Sequence, residues 1–181
     1  MNASPQPEYM VITATGEDKV GLVEAFTSAV TAAGCNIEHS RMAVLGGQFA
    51  FLMLVAGEEP ALVRLAEHLP PLSDALGLAI VHKRTHQRIP RATLIPYDVE
   101  VVALDHPGIV HGLARFFARH EINIEALETE TYPAPHTGTQ MFAVRMVVGI
   151  PATTPIKALR QAFLEYCDDL NLDATLEPSR E

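Results

Sequence analysis

The sequence predicts an α+β fold: two ferredoxin-like βαββαβ domains in tandem, each an antiparallel sheet with its helices on one face. The first observation behind this is a repeat. "EDKVGLVEAFTSAVTAAGCNIEH", from Glu17, returns as "LDHPGIVHGLARFFARHEINIEA", from Leu104. Asp18, Gly21, Asn36, Ile37 and Glu38 recur at one constant spacing as Asp105, Gly108, Asn123, Ile124 and Glu125. The period is far longer than a solenoid repeat and corresponds to a whole small domain. The second observation is that each copy alternates strand-like and helix-like hydrophobic periods in the same order. The third is that 48% of the 181 residues are hydrophobic, enough to bury two cores. The predicted division is residues 1–84 for the first domain, 85–96 for a linker with two prolines, and 97–181 for the second domain.

In the first domain "YMVITAT" alternates, placing Met10, Ile12 and Ala14 on one face of a strand. Asp18 is placed to cap the helix that follows. Leu22, Phe26, Ala29, Val30 and Ala33 fall on one helical face, and Gly34 suits the helix end. A second strand spans about 36–44, and Gly46-Gly47 in "LGGQ" supplies the positive φ of a tight hairpin. "FAFLMLVAG" is the third strand. Pro60 opens a second helix with Leu62, Leu65, Ala66 and Leu69 inward. Pro70-Pro71 is expected to break that helix, with "LSDALGL" resuming it. "LAIVHK" is the fourth strand.

The second domain repeats the order. "DVEVVAL" puts Val99, Val101 and Ala103 on one strand face. Pro107 fits a first helical turn, and Ile109, Leu113, Phe116, Phe117 and His120 follow at helical spacing. "NIEALETET" is a strand, "YPAPHTGTQ" a longer hairpin loop than its counterpart, and "MFAVRMVVG" the third strand. Pro155 opens a helix carrying Ile156, Leu159, Phe163 and Tyr166, and "LDATLE" closes the unit. "FAFLMLV" is apolar on both faces. Helices cover only one face of such a sheet, so the other calls for a second cover, and a homo-oligomer is expected.

Several function classes are set aside. The net charge is −9, from 13 basic and 22 acidic residues, which opposes direct nucleic-acid binding. No signal-peptide pattern opens the chain, and its longest apolar run is too short to span a bilayer, so a soluble cytoplasmic protein away from the membrane is expected. Cys35 and Cys167 are far apart and read as two buried thiols in a reducing compartment. No GxSxG, HExxH, Walker A or CxxC pattern occurs, so no catalytic residue, metal site or cofactor is expected. His106 and His111 point about 140° apart on a helix and do not share a face. Lys83, Arg84, Arg88 and Arg91 form a local basic patch, read as a solvated linker. Phe49-Ala50-Phe51 echoes the third strand of an RNA-recognition motif, but no basic residue opens it, and core phenylalanines are the simpler reading.

The repeated turn remains. A helix's first-turn amides can hold a carboxylate, and Gly21 and Gly108 leave room for a ligand or another backbone. Asn36 and Asn123 add a donor and an acceptor each. The same residues serve equally well as cap, packing glycine and turn, and the residues alone leave both readings open.

With the Asp-(Lys/His)-(Val/Pro)-Gly-(Leu/Ile)-Val turn and the later Asn-Ile, both copies resemble ACT domains, the small regulatory modules of amino-acid metabolism. The resemblance covers nearly the whole chain outside the termini and linker. Val20 replaces a common family proline, and Glu121 stands where the first copy has Gly34. A chain of two such domains resembles accessory transcriptional regulators of glycine cleavage that act through a DNA-binding regulator protein. The resemblance implies a non-enzymatic sensor of a small amino acid, glycine or serine first. The implied ligand sites lie at ACT–ACT interfaces, near Asp18, Gly21, Asn36 and Ile37, and near Asp105, Gly108, Asn123 and Ile124. Gly21→Val or Gly108→Val is then expected to block the site and leave the fold. The alternatives are an ACT-type interaction module without a ligand, or a ferredoxin-like nucleic-acid binder.

Overall fold

The computed structural model describes residues 7–86 and 93–179. The chain divides into two compact units, Met1–Ile89 and Pro90–Glu181. The first runs β1 (Glu8–Glu17), α1 (Leu22–Ala33), β2 (Asn36–Leu45), β3 (Gln48–Gly57), α2 (Glu59–Leu76) and β4 (Ala79–Thr85). Its strands form one antiparallel sheet in the order β2-β3-β1-β4. The second runs β5 (Leu94–Leu104), α3 (Ile109–Arg119), β6 (Asn123–Pro133), β7 (Gln140–Pro151), α4 (Ile156–Asp169) and β8 (Asp173–Pro178), in the order β6-β7-β5-β8. Both units are the βαββαβ fold that the periodicities predict. Residues 94–96, placed in the linker by sequence, begin β5. Residues 87–92 of that linker, including Arg88 and Arg91, lie outside the described residues.

One side of each sheet meets two helices. In the first unit Met10, Ile12, Ala14, Phe49, Met53 and Val55 point to that side and meet Leu22, Phe26, Val30, Leu62, Leu65 and Leu69. In the second, Val99, Val101, Val144, Met146 and Val148 meet Leu113, Phe116, Phe117, Leu159 and Phe163. Strand alternation and helical spacing select the same side because period 2 and period 3.6 each bury one face. Aromatic rings pack the cores: Phe26 of α1 meets Phe51 of β3 edge-on at 5.7 Å, and Phe117 meets Phe163 as a tilted pair at 5.3 Å. The Gly46-Gly47 hairpin has φ of 59° and 77°, the left-handed pair that a tight hairpin turn needs and that glycine takes freely.

Three local expectations are corrected. α2 runs unbroken from Glu59 to Leu76 through Pro70 and Pro71. Both prolines are exposed, while Leu69 is buried and Leu72 and Leu76 hold the segment to the core. Pro107 precedes α3 instead of lying in its first turn. His120 does not continue the buried face; it occupies the C-cap position, its ring 4.3 Å from that of Phe116.

Candidate functional site

At the end of β1 the Asp18 amide donates to the Gly47 carbonyl at 3.1 Å, and at the end of β5 the Asp105 amide donates to the Gln140 carbonyl at 3.1 Å. The same bond thus anchors both turns to the start of the neighbouring strand. The chain then reaches Gly21, at φ 96° and ψ −4°, and Gly108, at φ 100° and ψ −6°. These glycines, not Asp18, occupy the N-cap positions, and neither helix start has a side-chain cap. Their carbonyls accept the first helical bonds, from the amides of Ala25 and Gly112, each at 2.9 Å. A left-handed N-cap shifts the helix start past the aspartate, which explains both the Asp18 and the Pro107 corrections.

The glycines' role also changes. A Cβ on either would meet nothing within 4 Å, so neither is needed here for close packing. The left-handed φ alone requires them. Gly21→Val or Gly108→Val would therefore strain the turn instead of leaving the fold untouched, because a β-branched residue avoids this region.

Asn36 and Asn123 lie elsewhere. Asn36 pairs with Ala56, which pairs with Tyr9 at the beginning of β1, whereas Asp18 follows that strand's end. The 12 residues of α1 separate them, about 18 Å at 1.5 Å per residue. Asn123, opposite Gly149, stands in the same relation to Gly108. Within one unit the structure joins Asp18 to Gly21 and Asn36 to Ile37, but it does not join the two groups. The asparagine ends share a further feature: a bulge at Glu38 interrupts β2–β3 pairing, and one at Glu125 interrupts β6–β7 pairing. Asn36 Nδ2 donates to Glu38 Oε1 at 3.0 Å across the first bulge.

The second unit's turn opens on a concavity of about 440 Å³, lined by Asp105, His106, Gly108, His111 and Phe142 among others. The helical-wheel separation of His106 and His111 does not apply, since α3 starts only at Ile109. His106 sits in the turn, its Nδ1 3.1 Å from the Pro107 carbonyl, where an Nδ1–H tautomer donates. Sequence spacing missed this pairing because it assumed one continuous helix. The lining offers imidazoles, a carboxylate and an apolar wall, groups suited to a small polar ligand. Among the described residues no group of three His, Cys, Asp or Glu is placed to hold a metal ion.

The competing chemistry is weakened by the same geometry. Phe49 and Phe51 point into the core, 1% and 8% exposed, so they offer no surface for base stacking. Arg84 is held by Glu59 at 3.0 Å and Glu8 at 3.6 Å, a structural clamp across the edge of the first unit. No helix among the described residues is long and apolar enough to cross a membrane.

Two βαββαβ units, each with an Asp-x-x-Gly turn leading into its first helix, define a tandem ACT-domain protein. An ACT-domain family model matches residues 8–83. The chain is 35% identical over 169 residues to the glycine cleavage system transcriptional repressor of Escherichia coli (strain K12), covering 93% of this chain and 88% of that protein, and matches the Shigella flexneri repressor equally. The chain belongs to that tandem-ACT repressor family. A crystal structure provisionally assigned as a glycine cleavage system transcriptional repressor aligns with TM-score 0.73 at 26% identity, over 98% of this chain and all of that one. An unknown protein from Galdieria sulphuraria aligns with TM-score 0.78 at 29% identity, over 97% of this chain and all of its own.

Proposed function

We propose that this protein is a non-enzymatic regulator that senses a small amino acid and acts on transcription of glycine cleavage through a DNA-binding protein partner. The observation that carries this reading is the 35% identity to the repressor across nearly the whole chain. The formal charge of −9 supports an indirect route to DNA, since a chain of this sign is repelled by phosphates. Glycine and serine are the first ligands to test.

The ligand site in this reading takes Asp18 and Gly21, or Asp105 and Gly108, from one ACT unit. Asn36 and Ile37, or Asn123 and Ile124, come from a different ACT unit, because about 18 Å of helix separates the groups within a unit. Bound ligand then favours one arrangement of ACT units and so changes the surface shown to the partner. A thermal-shift titration of the purified chain with glycine, serine and the other common amino acids tests it. A ligand at 100 times its Kd adds about 2.7 kcal/mol. A selective upward shift supports sensing. No shift with any amino acid defeats it in favour of a ligand-free interaction module.

A further inference from the structure

The second unit carries a groove that none of the repeated turn residues lines. It follows α4 from Ile156 to Asp168, with Tyr97 of β5 in its wall, and encloses about 490 Å³. That length of helix is about 18 Å at 1.5 Å per residue. Ile156, Leu164 and the Tyr97 ring give it an apolar wall. Tyr97 stands where the first unit has Met10, which is wholly buried. A thioether needs no hydrogen-bond partner, but a buried tyrosine hydroxyl ordinarily finds one. Tyr97 is only 9% exposed, and among the described residues its hydroxyl has no partner. The hydroxyl is not sealed in, and the groove is the space on which it opens.

The start of α4 adds positive charge to the same place. The amides of Ala158 and Leu159 donate to the Pro155 carbonyl at 3.0 and 3.1 Å. The amides before them, of Ile156 and Lys157, therefore lie outside the helix's own bonding. No side chain caps this end, and no acidic residue stands in the first turn, so the positive pole of the helix is uncompensated. Lys157 brings a full charge, and Arg160 a second that it shares with Glu177 at 3.3 Å. Glu165 and Asp168 line the groove two to three turns further on. The groove is thus positive where α4 begins and negative at its far end. A cation would meet only exposed carboxylates there, and Glu165 already accepts from Gln161 at 2.9 Å.

We propose that this groove binds an organic anion, its carboxylate or phosphate head at the start of α4 and its apolar body along Ile156, Tyr97 and Leu164. The Tyr97 hydroxyl donates to the head, which gives that hydroxyl the partner it lacks. The free first-turn amides and Lys157 supply the rest of the attraction. Glu165 and Asp168 repel an anion from the far end and so fix the direction in which it lies. The first unit has no hydroxyl to offer at Met10, so the site belongs to the second unit alone. It does not rest on amino-acid sensing: residues and ligand class both differ, and a chain indifferent to every amino acid would still bind here.

The test is an NMR titration of the ¹⁵N-labelled full chain with octanoate, octyl phosphate and octanol, each to about 10 mM. An anion of this size is expected to bind with a Kd of about 1 mM. The amide signals of Ile156 and Lys157 are expected to move with the anions, and octanol to bind at least about fivefold more weakly. The tighter of the two anions identifies the head group as carboxylate or phosphate. Tyr97→Phe removes only the hydroxyl and is expected to weaken anion binding about tenfold. Lys157→Glu, at an exposed side chain, is expected to weaken it about fivefold. Far-UV circular dichroism checks that both variants are folded, and Lys157→Glu carries the test if Tyr97→Phe is not. Anions that leave the first turn of α4 unmoved up to about 10 mM overturn the proposal. So does octanol binding as tightly as octanoate, or folded variants that bind the anions like the parent.

Discussion

Gly34 and Glu121 hold the same backbone turn at the ends of the first helix of each unit. Their φ values are 80° and 56°. The following residue closes the same bond in both, Cys35 amide to Val30 carbonyl at 3.1 Å and Ile122 amide to Phe117 carbonyl at 3.0 Å. The motif needs a left-handed residue, and only glycine meets that need without cost. Glu121→Gly is therefore expected to stabilise the protein by about 1 kcal/mol, and Gly34→Ala to destabilise it by about the same. Urea denaturation reads both. Equal stability of the Glu121→Gly chain and its parent would show that the glutamate side chain offsets its backbone strain.

The turns at Gly21 and Gly108 give a related prediction with a different control. Nothing lies within 4 Å of a Cβ at either site, so alanine loses nothing to crowding. Each alanine variant is still expected to lose about 1–2 kcal/mol through its left-handed φ alone. Serine should cost the same, since the cause is the backbone and not side-chain volume. Unchanged melting temperatures for both variants would sink this account.

Much of this architecture is legible in sequence because hydrophobic period and burial coincide. The repeat from Asp18 to Glu38 fixes where each unit's first helix falls, and the Gly46-Gly47 pair marks its hairpin. Pro70-Pro71 is illegible for the opposite reason: local propensity argues for a break, but Leu69, Leu72 and Leu76 tie the same segment to the core. The candidate site is half legible. Asp18, Gly21, Asn36 and Ile37 stand out as a repeated set, yet strand order decides which of them are neighbours. That order puts the turn and the asparagine at opposite ends of the sheet. His106 and His111 share a concavity only because the left-handed Gly108 delays the helix, a shift that no helical wheel contains.

The two thiols are expected to differ in reactivity. Burial pushes the Cys167 thiol up to about 12, with the neighbouring Asp168 carboxylate adding to the rise. Cys35, expected from sequence to be buried as well, is only half-buried at the end of the first helix; burial also raises it, but Arg64 and Arg84 pull it partly back. A disulfide reagent near neutral pH should label half-buried Cys35 in the native protein and Cys167 only on unfolding. The sign of the pH dependence follows. Above about pH 9 the unfolded chain gives up the Cys167 proton while the native chain keeps it. This group's contribution to stability is therefore lost as pH rises from about 9 toward 12, and Cys167→Ala should flatten that part of the profile. Equal native labelling of both thiols would contradict the burial of Cys167.

The prolines inside α2 supply the last test. Pro70 and Pro71 have no amide to offer the carbonyls of Ala66 and Glu67, and each ring crowds the preceding turn. Their exposure leaves no packing to compensate, so the helix continues only because its buried face holds it in place. Replacing both with alanine restores two backbone bonds without disturbing Leu69 or Leu72. A proline in a helix interior costs about 3 kcal/mol relative to alanine, partly offset by about 1 kcal/mol for the freer unfolded chain. The double variant is therefore expected to gain about 2 kcal/mol or more in urea denaturation. It should also slow amide exchange in the α2 segment that follows Pro71. A loss of stability would mean that the prolines hold a bend on which the Leu69 and Leu72 contacts depend, and that packing selects the kinked helix over the straight one.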